Sequence, residues 1–230
     1  MIGVSTYPEP SAPARVISDV AEQMRLGDTF RLADVGVFFG ADNAAPGTEA
    51  PDPYFGGMGP ARRTCTRCGE CMTGCRHNAK NTLVKNYLYL AEQAGARVHP
   101  LTTVRQVRPL AGGGHAVDIH RTGRRRQERR EFTAEQVIFA AGALGTARLL
   151  HTCRVDGVLP GISPRLGRLT RTNSEAVLAA RSLRADADYS AGVAITSSIH
   201  PDAHTHVEPV RYGKGSNLLS LMGAVLVDGD

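Results

Sequence analysis

The sequence predicts a mixed α/β chain, α+β overall: part of a three-layer domain carrying a β-meander, plus part of a mixed-sheet domain. Three observations predict it. A helical stretch runs through a glycine into an extended segment at 83–101. Three short alternating segments follow, separated by turn residues. Then a continuous apolar run, Val137–Ala141, enters a glycine turn and a second helix. A hydrophobic content of 42% with 5% aromatics and no Trp fits a core of Ala, Val and Leu.

The elements follow in order. In "PARVISDVAEQM", Val16, Ile17, Val20 and Met24 fall at helical spacing. "ADVGVFFG" reads as a short strand or extended segment. Residues 41–62 are rich in Pro, Gly and Ala, which predicts a long loop or lid. Leu83, Val84, Tyr87, Leu88 and Ala91 make one apolar helical face. Gly95 stands where a left-handed residue ends a helix, and "ARVHPL" then reads as a strand. "TTVRQVRPL", "HAVDIHRT" and "REFTA" predict an antiparallel meander. The run at 137–141 has the composition of a strand buried on both faces, Gly142 and Gly145 form a turn, and a helix starts at Thr146.

The net charge of +5 is local: "RTGRRRQERRE" at 121–131 supplies six arginines. They sit between two strand-like segments without interleaved aromatics, so a solvated hairpin turn is preferred to a nucleic-acid surface. No apolar run approaches the ~20 residues of a membrane span. The first residues show neither a basic region nor an apolar one, so no signal peptide is read and a cytoplasmic location is expected.

Four of the five cysteines, Cys65, Cys68, Cys71 and Cys75, lie in "CTRCGECMTGC". The spacing C-x2-C-x2-C-x3-C is that of a bacterial ferredoxin loop. There is one run only, and Arg76 stands where such loops carry Pro, so a [4Fe-4S] cluster is weighed against reduced thiols in a tight loop. The balance of the residues themselves is against the cluster. Zinc is also disfavoured, because paired C-x2-C knuckles sit on separated turns. The His200, His204 and His206 set, with Asp202, could bind zinc but reads better as a polar loop entering a strand.

Three segments carry a resemblance: 68–107, "VIFAAGALGTARLL" and "SSIHPDAHTHVEPVRYGKGSN". Together they resemble the glucose–methanol–choline (GMC) oxidoreductases, in their bacterial sterol-oxidising branch. "GALGTARLL" is similar to the first half of that family's second signature. "HTCRVDG" then departs from the usual Ser-Gly-x-Gly, which fits the sterol branch. The family's GxGxxG strand–helix and its His/Asn segment have no counterpart here, so the chain is expected to be an internal fragment or truncated product. Neighbouring reading frames would supply the other domain halves.

The resemblance implies a partial FAD/NAD(P)-binding domain. Residues 1–79 would be the lid and cysteine region that covers substrate and FAD. Residues 80–155 would form the C-terminal portion of the FAD-binding domain, and 156–230 part of a substrate-binding domain. It implies FAD contacts at Leu101, Ala141, Gly142 and Gly145. It implies Glu208 as the catalytic base that shifts a steroid double bond, a role desolvation would suit. The expected activity is oxidation of a sterol or related alcohol. An iron–sulfur electron-transfer module and a catalytically silent product are the alternatives. Without a GxGxxG, the isolated chain is expected not to hold FAD tightly.

Overall fold

The computed structural model describes residues 3–41, 44–123, 129–171, 174–180, 182–184 and 186–216. Its elements run β1 (Ser5–Thr6), α1 (Ala12–Gln23), β2 (Arg31–Leu32), β3 (Asp34–Val35), β4 (Glu49–Ala50), β5 (Arg62–Arg63), α2 (Tyr87–Gln93), β6 (Thr102–Pro109), β7 (His115–Arg121), β8 (Arg129–Ala134), α3 (Gly142–Val155) and β9 (Ser197–Ser198). The mixed class is as expected. The chain divides into two compact units, one of residues 1–96 with 178–230 and one of residues 97–177.

The first unit is held by short strand pairs rather than by one sheet. β1 pairs with β3, β2 with β9 and β4 with β5, all antiparallel. Its buried apolar cluster is small: Tyr7, Val37, Ala79 and Val193, with Val35, Phe39, Cys65, Cys71 and Cys75 packed against it. The cysteine loop is therefore part of the core of this unit.

α1 starts at Ser11, whose hydroxyl accepts from the Ala14 amide at 3.2 Å and donates to Thr196 Oγ1 at 2.9 Å. A serine cap satisfies an amide that the helix itself leaves open. The helix lies where the sequence predicts it, but its buried face differs. Ala14 and Ala21 are sealed, whereas Val16, Val20 and Met24 are exposed. Small side chains permit the close approach of α1 to β9.

α2 ends as predicted. Gly95 has φ +97°, its amide bonds to Glu92 O at 3.0 Å, and the Ala96 amide reaches Ala91 O at 2.9 Å. This pair of bonds is the Schellman closure. The predicted apolar face of this helix is again open, with Leu83, Val84, Tyr87 and Leu88 exposed.

Within the predicted 41–62 loop, of which residues 42–43 lie outside the described residues, β4 forms and residues 51–61 make an ordered loop between β4 and β5. Asp52 organises it by accepting from the amides of Tyr54 at 3.2 Å, Phe55 at 2.8 Å and Gly59 at 2.9 Å. Burial works to raise the Asp52 carboxyl, but these amides and the Arg62 charge outweigh it and hold the group below its ordinary range.

In the second unit β6, β7 and β8 form the predicted meander. The register runs Val107 to Val117 to Phe132, with a bulge between Val104 and Gln106. α3 packs on β6. Its Cys153 is fully buried and accepts from the Val107 amide at 3.4 Å. Of the Arg-rich turn, residues 124–128 lie outside the described residues.

Two predicted strands are corrected here. Neither "ARVHPL" nor Val137–Ala141 is a strand among the described residues. Ile138 is 89% exposed. A strand that is apolar on both faces needs strands beside it and layers over it. Without them its composition cannot produce pairing. The glycine turn is tighter than predicted as well: α3 already begins at Gly142, so Gly145 lies in its first turn.

Candidate functional site

Two sites are built from the residues singled out by the sequence, one in each unit. In the first unit the loop from Cys65 to Lys80 wraps a small cavity. Cys65, Cys68, Cys71 and Cys75 all line it, with Val37, Gly69, Glu70, His77, Ala79, Lys80 and Gly192. The wrapping depends on backbone that few residues adopt. Arg67, Gly69, Gly74 and Asn78 all have φ between +58° and +111°. These turns fold the short loop back on itself, so that residues along it face one cavity.

Segments distant in sequence close the loop. The Cys65 amide bonds to Phe38 O at 2.9 Å, and Val37 bridges to Lys80. The Gly69 amide bonds to Gly192 O at 2.8 Å, and the Gly192 amide to Arg67 O at 2.7 Å. A side chain at Gly69 would meet Ser190 O at 2.3 Å. Only glycine fits this crossing.

The four thiols are free and half-buried, and amides hydrogen-bond to those of Cys65, Cys71 and Cys75. Arg67 N–H donates to Cys65 Sγ at 3.3 Å and Lys80 N–H to Cys75 Sγ at 3.4 Å. The Ala194 amide reaches Cys71, and those of His77 and Ala79 reach Cys75. Burial pushes the Cys65 and Cys71 thiols up, and the neighbouring thiols add to the rise. Burial also acts to raise Cys75, but its three amides and Lys85 bring it below the ordinary value. The cysteine spacing is legible in the sequence; Gly192, Ala194, Lys80 and Arg211, which complete the surround, carry no signal there.

In the second unit the site is the start of α3. No side chain caps it, and its first turn carries no acidic residue. The Ala141 amide donates to Thr146 Oγ1 at 3.0 Å. Gly142 has φ +73° and open space where a Cβ would stand. A helix start with open amides and small residues accepts an anionic group such as a diphosphate. Leu101 is also left-handed, at φ +52°, and 62% exposed, and its carbonyl accepts from the Thr122 amide at 2.8 Å. A non-glycine residue held there marks a backbone fixed by its surroundings.

Glu208 lies on an exposed segment between the bridges Ile199–Val207 and Ile195–Val210, with His206 Nε2 at 3.8 Å. The His200 and His206 rings stand 6.0 Å apart, and His204 donates its amide to Asp202 at 2.7 Å. Residues 201–206 are exposed and lie outside any strand among the described residues. Among the described residues no helix is long and apolar enough to cross a membrane.

Residues 61–162, which hold both the cysteine loop and the start of α3, match the family model described as GMC oxidoreductase. Over these residues the chain is similar to the GMC oxidoreductases. It is 54% identical over 233 residues to a cholesterol oxidase of Mycobacterium tuberculosis, across 100% of this chain and 40% of that protein. It is 43% identical over 235 residues to a cholesterol oxidase of Acinetobacter baumannii, across 100% of this chain and 42% of that protein. The chain thus spans about two fifths of the length of the curated relatives it matches.

Proposed function

We propose that this chain is part of an FAD-dependent oxidoreductase that oxidises the hydroxyl of a sterol, as its cholesterol oxidase relatives' names describe. The observation that carries the reading is identity of 54% along the whole chain. The start of α3 supports the cofactor: it is uncapped, free of acidic side chains and open at Gly142. These residues fit an anionic dinucleotide backbone. When bound, FAD would supply the two-electron acceptor for alcohol oxidation.

The chain's own residues take the following roles in this proposal. Ala141, Gly142 and Gly145 admit the ribose and diphosphate without a side chain in the way. The backbone at Leu101 meets the adenine. Glu208 would move a proton between ring carbons of the steroid and so shift its double bond. It would need an apolar surround for that, and a bound sterol would provide part of it. Residues 80–155 would then be the C-terminal portion of the FAD-binding domain, and 156–230 part of the substrate-binding domain.

A segment exchange tests this reading. This chain would replace the matching 233-residue segment of the M. tuberculosis cholesterol oxidase. The chimera is expected to hold flavin and to oxidise cholesterol. Glu208→Gln in it should preserve oxidation of the hydroxyl and lower double-bond migration about 100-fold or more. A folded, flavin-loaded chimera that leaves cholesterol untouched would overturn the sterol reading.

A further inference from the structure

The geometry points to a second prosthetic site in the same chain: we infer that Cys65, Cys68, Cys71 and Cys75 ligate an iron–sulfur cluster of the cubane type. This inference does not rest on the flavin reading.

Four observations carry it. All four thiols face one cavity. The loop between them is fixed in left-handed conformations at Arg67, Gly69 and Gly74, and it is locked to Gly192 by amide bonds in both directions. Amide N–H groups of Arg67, Ala194, His77, Ala79 and Lys80 point at the sulfurs. Such bonds are the outer shell that stabilises cluster thiolates and sets their potential. Cations outnumber the one carboxylate of the lining, Glu70, which is itself paired with Arg76 at 3.2 Å. Lys80 Nζ bonds to Cys71 O at 2.9 Å, Lys85 acts on Cys75, and Arg211 lies near Cys71. A cubane on four thiolates has net negative charge, which these groups offset.

Spacing separates a cluster from a single zinc ion. Zn–S bonds of about 2.3 Å place tetrahedral thiolates roughly 3.8 Å apart. Among the described residues, the donors that gather within 4.8 Å in a group of three are Cys68, Glu70 and His77. The thiols are not drawn in to that spacing. A cubane holds its ligands farther apart, because each binds a different iron.

The site also explains a poverty of the fold. The buried apolar cluster of this unit consists of Tyr7, Val37, Ala79 and Val193, and three of the four cysteines pack on it. A metal cluster there would supply the cohesion that so few apolar side chains cannot. The fourth cysteine of a ferredoxin run ordinarily serves another cluster. Here Cys75 turns back to the same cavity, so one run suffices. The remaining thiol, Cys153, is fully buried under β6 and is not needed.

The test is elemental and spectroscopic. The 230-residue chain is purified without oxygen and analysed for iron, acid-labile sulfide and zinc. A second portion is reconstituted with ferrous iron and sulfide. Iron and sulfide in equal amounts, about four of each per chain, are expected, with a broad visible absorption that dithionite bleaches. Cys71→Ala and Cys75→Ala should each lose at least half of the iron, and Cys153→Ala should keep it. Stoichiometric zinc without sulfide would overturn the inference. A soluble, folded wild-type chain that takes up no iron on reconstitution would overturn it too. Flavin is scored separately by its fluorescence after acid release, so neither result decides the other.

Discussion

The cysteine loop and the 137–145 segment are both motif-bearing stretches, yet they end in opposite conditions. The loop is enclosed: backbone at Phe38 and Gly192 bonds to it, and its sulfurs face inward. The 137–145 segment is open: Ile138 is 89% exposed and Leu144 is 79% exposed. The difference is one of supply. The loop's partners are all present in this chain. A strand meant for burial on both faces needs neighbours on each side, and the described residues provide none. Apolar composition creates a demand for burial; only packing against other elements meets it.

The comparison can be broken most severely at Gly69. Gly69→Ala puts a methyl against Ser190 O in a left-handed conformation, so the loop must leave the 190–194 segment. A loss of about 3 kcal/mol or more is expected, read from denaturant unfolding of the chain. Gly142→Ala, also left-handed but facing open space, should cost only about 1 kcal/mol. Equal effects would erase the distinction between the two regions.

Asp52 tests whether enclosure in the first unit extends to its polar groups. Asp52→Ala leaves the amides of Tyr54, Phe55 and Gly59 without their acceptor and should cost about 1–3 kcal/mol. The same residue predicts an acid limb. Its folded pKa lies below the unfolded value, so its contribution is complete above about 3.9 and disappears as pH falls through the lower folded value. Asp52→Asn should flatten stability against pH in that window. An unchanged slope between the two proteins would assign the acid limb to other carboxylates.

Thiol labelling sharpens the contrast further. In reduced, metal-free chain, Cys75 should alkylate first, at least about tenfold faster than Cys65 or Cys71, because its amides favour the thiolate. Cys153 should label only on unfolding, since it is sealed beneath β6. Mass spectrometry of labelled peptides against time reads both. The smallest effect belongs to Ile138→Thr. At an exposed position it should change the stability of this chain by less than about 0.5 kcal/mol. A loss of several kcal/mol would show that the segment is buried in solution.

The parts of the fold that were legible in the sequence are those with local causes. Ser11 marks the start of α1 and Gly95 the end of α2, because caps and left-handed turns depend on a few adjacent residues. The meander was legible from alternation and turn residues. The faces of the helices were not. Val16, Val20 and Met24 make the apolar stripe of α1, but Ala14 and Ala21 are buried, since close approach to β9 selected small side chains. The strand expected at 137–141 does not form, because no strand lies beside it among the described residues.

For the candidate sites, the donors and their order can be read from the chain alone: four thiols, a glycine turn before a helix and a family resemblance. Local chemistry and covalent spacing are enough for that. Only the tertiary structure decided that the four sulfurs share one cavity, because Gly192, Ala194 and Arg211 come from far along the chain to close it. Only the tertiary structure decided that Gly142 opens to free space while Gly69 is locked. Both residues are glycines at positive φ. What distinguishes them is which backbone passes beside them, and that is set by long-range packing.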